Sequence, residues 1–290
     1  MATKVESQTE TPSLREERPR RFSRRRFLMG VGAFTLAGAS YSYFESGWIR
    51  LRRESIRMSN IPPAFKGKTF ALLADIHHGP FISLNYIERV VAATNDLNPD
   101  AILLAGDYVH RDPMYIDPCF DVLANLKAPL GVFGVMGNHD HWESTSNTRQ
   151  AMRKSGIEEV SNSGVWVQAN GDRLRIAGVD DLWEGKPDLN AALKDTREDE
   201  SAILLSHNPD FVEGITDTRV GLVVSGHTHG GQIVLPIVGA PRVPSQFGQK
   251  YLHGLVKTKF TQVFVSRGVG TVTPPLRFCC RPEIVLLTII

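Results

Sequence analysis

The strongest constraint on how this chain can fold is a repeated juxtaposition: five apolar runs of strand length each stop at a short polar cluster. Residues 69–74 lead into Asp75-Ile76-His77, 101–105 into Gly106-Asp107, and 131–136 into Gly137-Asn138-His139-Asp140. Residues 202–205 lead into Ser206-His207, and 221–224 into Gly226-His227-Thr228-His229. Unbroken apolar runs of this length read as strands buried on both faces. Amphipathic segments at 84–97, 116–126, 145–154 and 210–215 lie between them and read as helices, the last one short. The alternation predicts βαβ units and an α/β fold. In such folds ligands gather at the carboxyl ends of strands, where all five clusters fall.

A second sheet is expected from the region after residue 160. Asn170-Gly171 separates two alternating runs, 165–168 and 173–177, which is a hairpin signal. Further strands are expected at 49–58, 233–235, 262–266 and 284–290. There is no internal repeat or linker after residue 60, so residues 48–290 are expected to form one catalytic domain behind a leader, 1–47.

The clusters share one donor chemistry. Carboxylates, an Asn carbonyl and neutral imidazoles suit borderline divalent metals such as Mn, Fe or Zn, and with three Cys in the chain an all-thiolate site does not compete. Asp75 and His77 flank one residue, so on an extended strand their side chains point the same way. Asp107 has two oxygens, as a bridge between two metals needs, and Gly106 before it permits close backbone approach. Asn138 adds a neutral donor, and His207, His227 and His229 add nitrogens. Singly, each is as well explained by a hydrogen-bonded turn residue.

In combination the order Asp-x-His, Gly-Asp, Gly-Asn-His-Asp, His, Gly-His-x-His resembles the calcineurin-like metallophosphoesterase superfamily across residues 69–229. That resemblance implies a four-layer α/β/β/α sandwich of two mixed β-sheets flanked by helices. It implies two divalent metal ions, one held by Asp75, His77, Asp107 and His229, the other by Asp107, Asn138, His207 and His227. His139 would donate a proton or bind phosphate, and Asp140 is expected to orient and charge it. The reaction implied is hydrolysis of a phosphodiester or pyrophosphate by a metal-bridging hydroxide. In the related purple acid phosphatases a Tyr ligand follows the bridging Asp by three positions; here that position is His110, which sets the tyrosinate-iron variant aside and is read as a loop histidine, with contact to substrate phosphate as the alternative. His78 and His141 double the motif histidines, as outer supports of the site or as solvent-facing residues.

The carboxyl-terminal stretch, with Gly230-Gly231-Gln232, Pro274-Pro275-Leu276-Arg277-Phe278 and Arg281-Pro282-Glu283-Ile284, is similar to that of a bacterial subfamily of exported or membrane-associated phosphodiesterases. Some of these are described as UDP-2,3-diacylglucosamine hydrolases, which implies a cell-envelope or lipid-linked substrate. A phosphomonoesterase, including a protein phosphatase, and a non-catalytic metal-loaded envelope protein are the alternatives. Lys250, Tyr251, His253 and Arg277 are candidates to touch a phosphate or head group, against a plainer reading as solvated side chains.

Charge locates the chain. Residues 1–60 hold 12 Lys and Arg against 6 Asp and Glu, while the remainder holds 21 against 25. A mildly acidic body disfavours a nucleic-acid partner. The basic excess belongs to Ser23-Arg24-Arg25-Arg26-Phe27-Leu28-Met29 and the small-residue apolar run at 30–44, which looks like a twin-arginine export signal. The expected partners are that export machinery and a phosphorylated small molecule or lipid. The expected location is the periplasm or the outer face of the cytoplasmic membrane. Ala37-Gly38-Ala39 has the form of a cleavage site, and the run is equally compatible with a retained, membrane-associated anchor. Cys119, Cys279 and Cys280 suggest no disulfide framework.

Overall fold

The computed structural model describes residues 23–290. In chain order the elements are α1 (Arg24–Ser46), β1 (Arg50–Ile56), β2 (Thr69–Leu73), α2 (Leu84–Asn95), β3 (Ala101–Leu104), α3 (Ile116–Leu123), β4 (Val132–Gly134), α4 (Asn138–Lys154) and β5 (Glu158–Glu159). There follow β6 (Ser163–Ala169), β7 (Asp172–Gly178), α5 (Leu189–Ala192), β8 (Ala202–Leu205), β9 (Val220–Ser225), β10 (Gly254–Lys257), β11 (Gln262–Val265) and β12 (Glu283–Ile289). The chain divides into two units between Gly38 and Ala39. No helix among the described residues is long and apolar enough to cross a membrane.

The strands form two six-stranded mixed sheets, ordered β1-β12-β2-β3-β4-β5 and β10-β11-β9-β8-β7-β6. In the first, β2, β3, β4 and β5 run parallel, and β12 pairs antiparallel with β2. In the second, β7, β8, β9 and β11 run parallel. Alternation along each strand sorts side chains into layers. Phe70 and Leu72 of β2, Leu103 of β3 and Leu287 of β12 meet Ile203, Leu205, Leu222 and Val224 between the sheets. Ala71, Leu73, Ile102 and Leu104 face the other way, onto Ile87, Val90, Phe120 and Met152 of α2, α3 and α4. The outer face of the second sheet is covered more thinly, by α5 and a 3-10 turn at Pro209–Gly214, through Ala192, Leu193 and Val212. Each fully buried Leu or Phe contributes about 1.5–3 kcal/mol, so both faces of the parallel strands favour the same register.

The α/β sandwich of two mixed sheets flanked by helices is therefore as expected, with local differences. Asn170 and Gly171 both have positive φ, 48° and 87°, as a two-residue hairpin turn between β6 and β7 requires. No strand forms at 233–235, because Leu235 turns back onto Gly239 and only isolated bridges remain. The expected helix at 210–215 is the 3-10 turn. α4 begins at Asn138 instead of 145, with a break at Ser144, whose φ is −176°. The reason is Asp140: its Oδ2 accepts the Gly137 N–H at 2.9 Å, capping a helix turn that starts on the polar cluster.

Candidate active site

The site lies where the carboxyl ends of β2, β3 and β4 meet those of β8 and β9 across the inter-sheet core. The loops after β2 and β3 continue to pair beyond their strands, with Asp75 N–H donating to Gly106 O and His77 N–H to Asp107 O, both at 3.0 Å. Five of the expected ligand positions have left-handed backbone: Asp75 (φ 53°), His77 (51°), Asp107 (58°), His227 (69°) and His229 (53°). Asp and His tolerate this region better than most residues, and such strain persists where the surrounding fold determines it. Asp75 and His77 thus share a face because the chain curls, not because it stays extended. Gly106, at φ 88°, leaves room for the next loop: a Cβ there would lie 2.6 Å from Gly137 N.

All seven expected ligands are buried. Nε2 of His77 lies 3.1 Å from Nε2 of His229, and His229 Nε2 lies 3.5 Å from Asp75 Oδ1. Asp107 Oδ2 lies 3.4 Å from His77 Nε2 and 3.2 Å from His207 Nε2. His227 Nδ1 is 3.2 Å from His207 Nε2. His207 Nδ1 donates to the Ala105 carbonyl at 2.7 Å, which fixes the ring so that Nε2 is the atom facing Asp107. The His227 N–H donates to Asp75 Oδ1 at 2.8 Å and the His139 N–H to Asp107 Oδ1 at 2.9 Å.

The donor set suits a divalent cation. Asp75 Oδ2 and Asn138 Oδ1 are buried without a hydrogen-bond donor among the described residues, and buried oxygens of this kind are costly unless something positive meets them. The triads Asp75, His77, His229 and Asp75, Asp107, His207 each bring their ligand atoms within 4.8 Å of one another. Burial pushes His77 and His229 well below the usual imidazole range and His227 down to about 3, which keeps their lone pairs free. Burial opposes ionising Asp107, but His207, His139 and His77 outweigh it and hold its carboxyl well below the usual range. Burial likewise opposes charging His207, yet Asp107 and then Asp75 lift it to about 10.

Asp140 was assigned to the His139 ring, but its oxygens accept the backbone N–H groups of Asp107 (2.8 Å), Gly137 (2.9 Å) and Tyr108 (2.9 Å). It is a positioning residue for the β3 and β4 loops. His110, read as a loop histidine, places its Nδ1 3.2 Å from Nδ1 of His139. Burial, His139 and Arg111 lower His110 to about 4, so it meets His139 as a neutral ring, and one Nδ1 must donate to the other.

The doubled histidines serve as supports. His78 Nδ1 bonds the Ile82 carbonyl at 2.8 Å, and His141 Nε2 pairs with Asp180 at 2.9 Å. None of the four tail candidates lines the cleft. Fully buried Arg277 bonds the carbonyls of His229, Cys280, Arg267 and Gly270, Lys250 and Tyr251 share Glu213, and His253 meets Arg267. The three cysteines are free.

A cleft of about 430 Å³ opens over Asp107, Asn138, His139, His227 and His229. Its walls are mainly apolar, including Trp142, Trp183, Ile233 and Val272, with Arg242 as the cation among them. Trp183 stands edge-on to His227 with ring centres 4.2 Å apart, and Trp142 to His139 at 4.5 Å. Sequence reasoning missed both tryptophans; the adjacency of Trp142 to the Gly-Asn-His-Asp cluster was the available signal.

Comparisons with known proteins agree with this geometry. Residues 68–231 match the calcineurin-like phosphoesterase family (Metallophos). The chain is 34% identical over 283 residues to Uncharacterized metallophosphoesterase YkuE of Bacillus subtilis (strain 168), covering 93% of this chain and 98% of that protein. It is 33% identical over 279 residues to Phosphodiesterase YaeI of Escherichia coli (strain K12), covering 92% and 99% respectively.

Proposed function

The chain belongs to the calcineurin-like phosphoesterase family and is a metal-dependent phosphoester hydrolase, and on that premise we propose that it cleaves phosphodiester or pyrophosphate bonds with two divalent ions. The observation that carries the two-ion reading is Asp107: one carboxylate oxygen stands 3.4 Å from His77 Nε2 and 3.2 Å from His207 Nε2, between two sets of donors. Asp75, His77 and His229 complete one set, and Asn138, His207 and His227 the other. When bound, Mn, Fe or Zn ions supply Lewis acidity to a phosphoryl group and activate water.

The protein groups then have separate tasks. His139 lines the cleft, and its Nδ1 is occupied by His110, so Nε2 is the atom left to protonate a leaving oxygen. Trp142 and Trp183 grip an apolar or planar portion of the substrate. The mainly apolar walls around Arg242 leave room for a second ester substituent, which a diester carries and a monoester lacks. These walls support a cell-envelope or lipid-linked substrate; a UDP-2,3-diacylglucosamine-like compound, made in the cytoplasm, is one form only where the leader stays as an inward-facing anchor.

The test compares hydrolysis of bis-p-nitrophenyl phosphate and p-nitrophenyl phosphate by the metal-replete protein and by Asp107→Asn, with metal content measured for both. Preference for the diester, and loss of about one ion and of at least ~10³-fold activity in the variant, is the expected result. Preference for the monoester assigns a phosphomonoesterase, and full activity in Asp107→Asn removes the bridge.

Export by the twin-arginine route to the periplasm or outer membrane face is part of the same reading. It is supported by the run from Ser23 to Met29 and by the exposed apolar side chains of Phe27, Leu28 and Phe34 that follow it. Replacing Arg24 and Arg25 by Lys, followed by cell fractionation, should trap the protein in the cytoplasm; unchanged distribution counts against the route.

A further inference from the structure

Beside the cleft the chain makes a small hairpin whose construction does not suit water. From Ile233 on the cleft wall it runs to Leu235, turns through Pro236, Ile237 and Val238, and returns at Gly239 toward Pro241 and Arg242, again on the wall. Leu235 and Gly239 exchange both backbone hydrogen bonds at 2.9 Å, which closes the turn. At its tip Ile237 is 107% exposed, with Val238 at 65% and Leu235 at 40%. Ile237 also has φ 73°, a left-handed conformation that Gly or Asn would occupy more easily and that costs a β-branched residue about 1–2 kcal/mol. Strain and apolar exposure therefore coincide at one residue that contributes nothing to the core.

The base of the hairpin is braced by its own hydrogen bonds. Leu235 and Gly239 have their N–H and C=O groups paired with each other, and Pro236 has no N–H. The Val238 carbonyl accepts Gln249 Nε2 at 3.4 Å, while Gln249 Oε1 accepts the Ala240 N–H at 3.3 Å, bracing the base. Arg242 is exposed just behind the tip, at the level where a cation meets anionic head groups. Three side chains on a protruding turn fall far short of the roughly 800 Å² per partner of a stable protein interface, whereas a lipid surface requires no complementary shape.

We propose that the Leu235–Gly239 hairpin inserts into an anionic lipid surface and docks the mouth of the catalytic cleft against it. Ile233, Pro241 and Arg242, which flank the hairpin, line the cleft, so an ester carried by a lipid reaches the cleft without leaving the surface. The inference stands on the hairpin and is independent of which ester is hydrolysed.

The experiment places an environment-sensitive fluorophore at the tip of the full chain, by Ile237→Cys with the exposed thiol removed by Cys279→Ser. The label reports on the tip whatever the leader does. Titration with vesicles of phosphatidylglycerol and phosphatidylcholine should shift its emission to the blue, raise its intensity several-fold, and allow quenching by acyl-chain nitroxides. Turnover of bis-p-nitrophenyl phosphate by Ile237→Asp should match that of the unmodified protein, which separates docking from catalysis. Unchanged emission while the protein co-sediments with vesicles overturns the proposal. So does a concentration-dependent shift without lipid, which assigns the tip to a second copy of the chain.

Discussion

The carboxylate of Asp140 accepts the backbone N–H of Asp107 at 2.8 Å, so one acid of the site fixes the main chain of another. Its remaining bonds, to the Gly137 and Tyr108 amides, tie the loops after β3 and β4 together. Asp140→Asn offers one acceptor oxygen where two are used and turns an amide N–H toward another donor. We expect a loss of about 2–4 kcal/mol in urea denaturation, together with reduced metal content. A fall in kcat with stability and metal content intact would return Asp140 to the His139 ring.

Gly137 lies against the Asp107 carboxylate from the other side. A Cβ at this position would collide with Asp107 Oδ1 and stand 2.8 Å from Asp107 Cγ. Gly137→Ala should therefore displace the carboxylate while the cores between and outside the sheets remain intact. The added Cβ also stands 2.8 Å from the Asp107 backbone N, so the expected outcome is a loss of about 10²-fold in kcat on bis-p-nitrophenyl phosphate together with a lowered melting temperature. Activity within a factor of two of the parent would show that the loop has slack.

The His141–Asp180 pair gives a pH signature. Burial would raise Asp180, but the His141 hydrogen bond and the Lys186 and Asp181 amides outweigh it and bring it from 3.8 down to about 2. The bond to Asp180 raises His141 above 6.5 against the effect of burial. The carboxylate contribution is present above pH 3.8 and lost as pH falls toward 2. The imidazole contribution is complete below 6.5 and lost as pH rises through the raised folded value. Asp180→Asn should thus cost about 1–2 kcal/mol near pH 5.5, with the gap to the parent narrowing toward pH 8.5 in thermal or urea melts. A gap that stays constant across this range would mean that the pair is held without charge.

Glu45 links the end of α1 to the support of the site. Its buried carboxylate accepts the N–H groups of Cys279 at 2.9 Å and Cys280 at 2.6 Å, and Cys280 Sγ rests 3.3 Å from the His229 carbonyl. Glu45→Ala leaves the buried Cys280 amide and the half-buried Cys279 amide without their partner, and a loss of about 1–3 kcal/mol is expected. Metal affinity should weaken as well, measured by competition with a chelator. Unaltered affinity in a destabilised variant would confine Glu45 to the fold.

The five clusters were legible because each ligand type follows a buried run directly, and burial of those runs leaves little choice of register. What was not legible depends on neighbours distant in sequence. Asp140 is adjacent to His139 in the chain, yet its partners lie on the loop after β3, 32 and 33 residues away. His110 reaches His139 because the β2 and β3 loops keep pairing past their strands, with His110 N–H donating to His78 O. Asp75 and His77 fell on one side as expected, but through left-handed backbone that an extended-strand argument does not contain. At 233–235 the apolar pattern suggested a strand, while the turn through Pro236 and Gly239 removed its partner.

The position of β12 has a consequence for synthesis. It lies between β1 and β2, with Val285 beside Leu72 of the strand that leads into Asp75 and His77. A ribosome halted anywhere before residue 283 therefore leaves β2 with a bare edge and the first sheet open. Such long-range pairing cannot be anticipated by local structure in the emerging chain. Translation must pass β12 before the loops that follow β2 and β3 have a finished wall to stand on, so a product truncated ahead of it is recognisable to proteases by an unzipped sheet and not merely by lost activity.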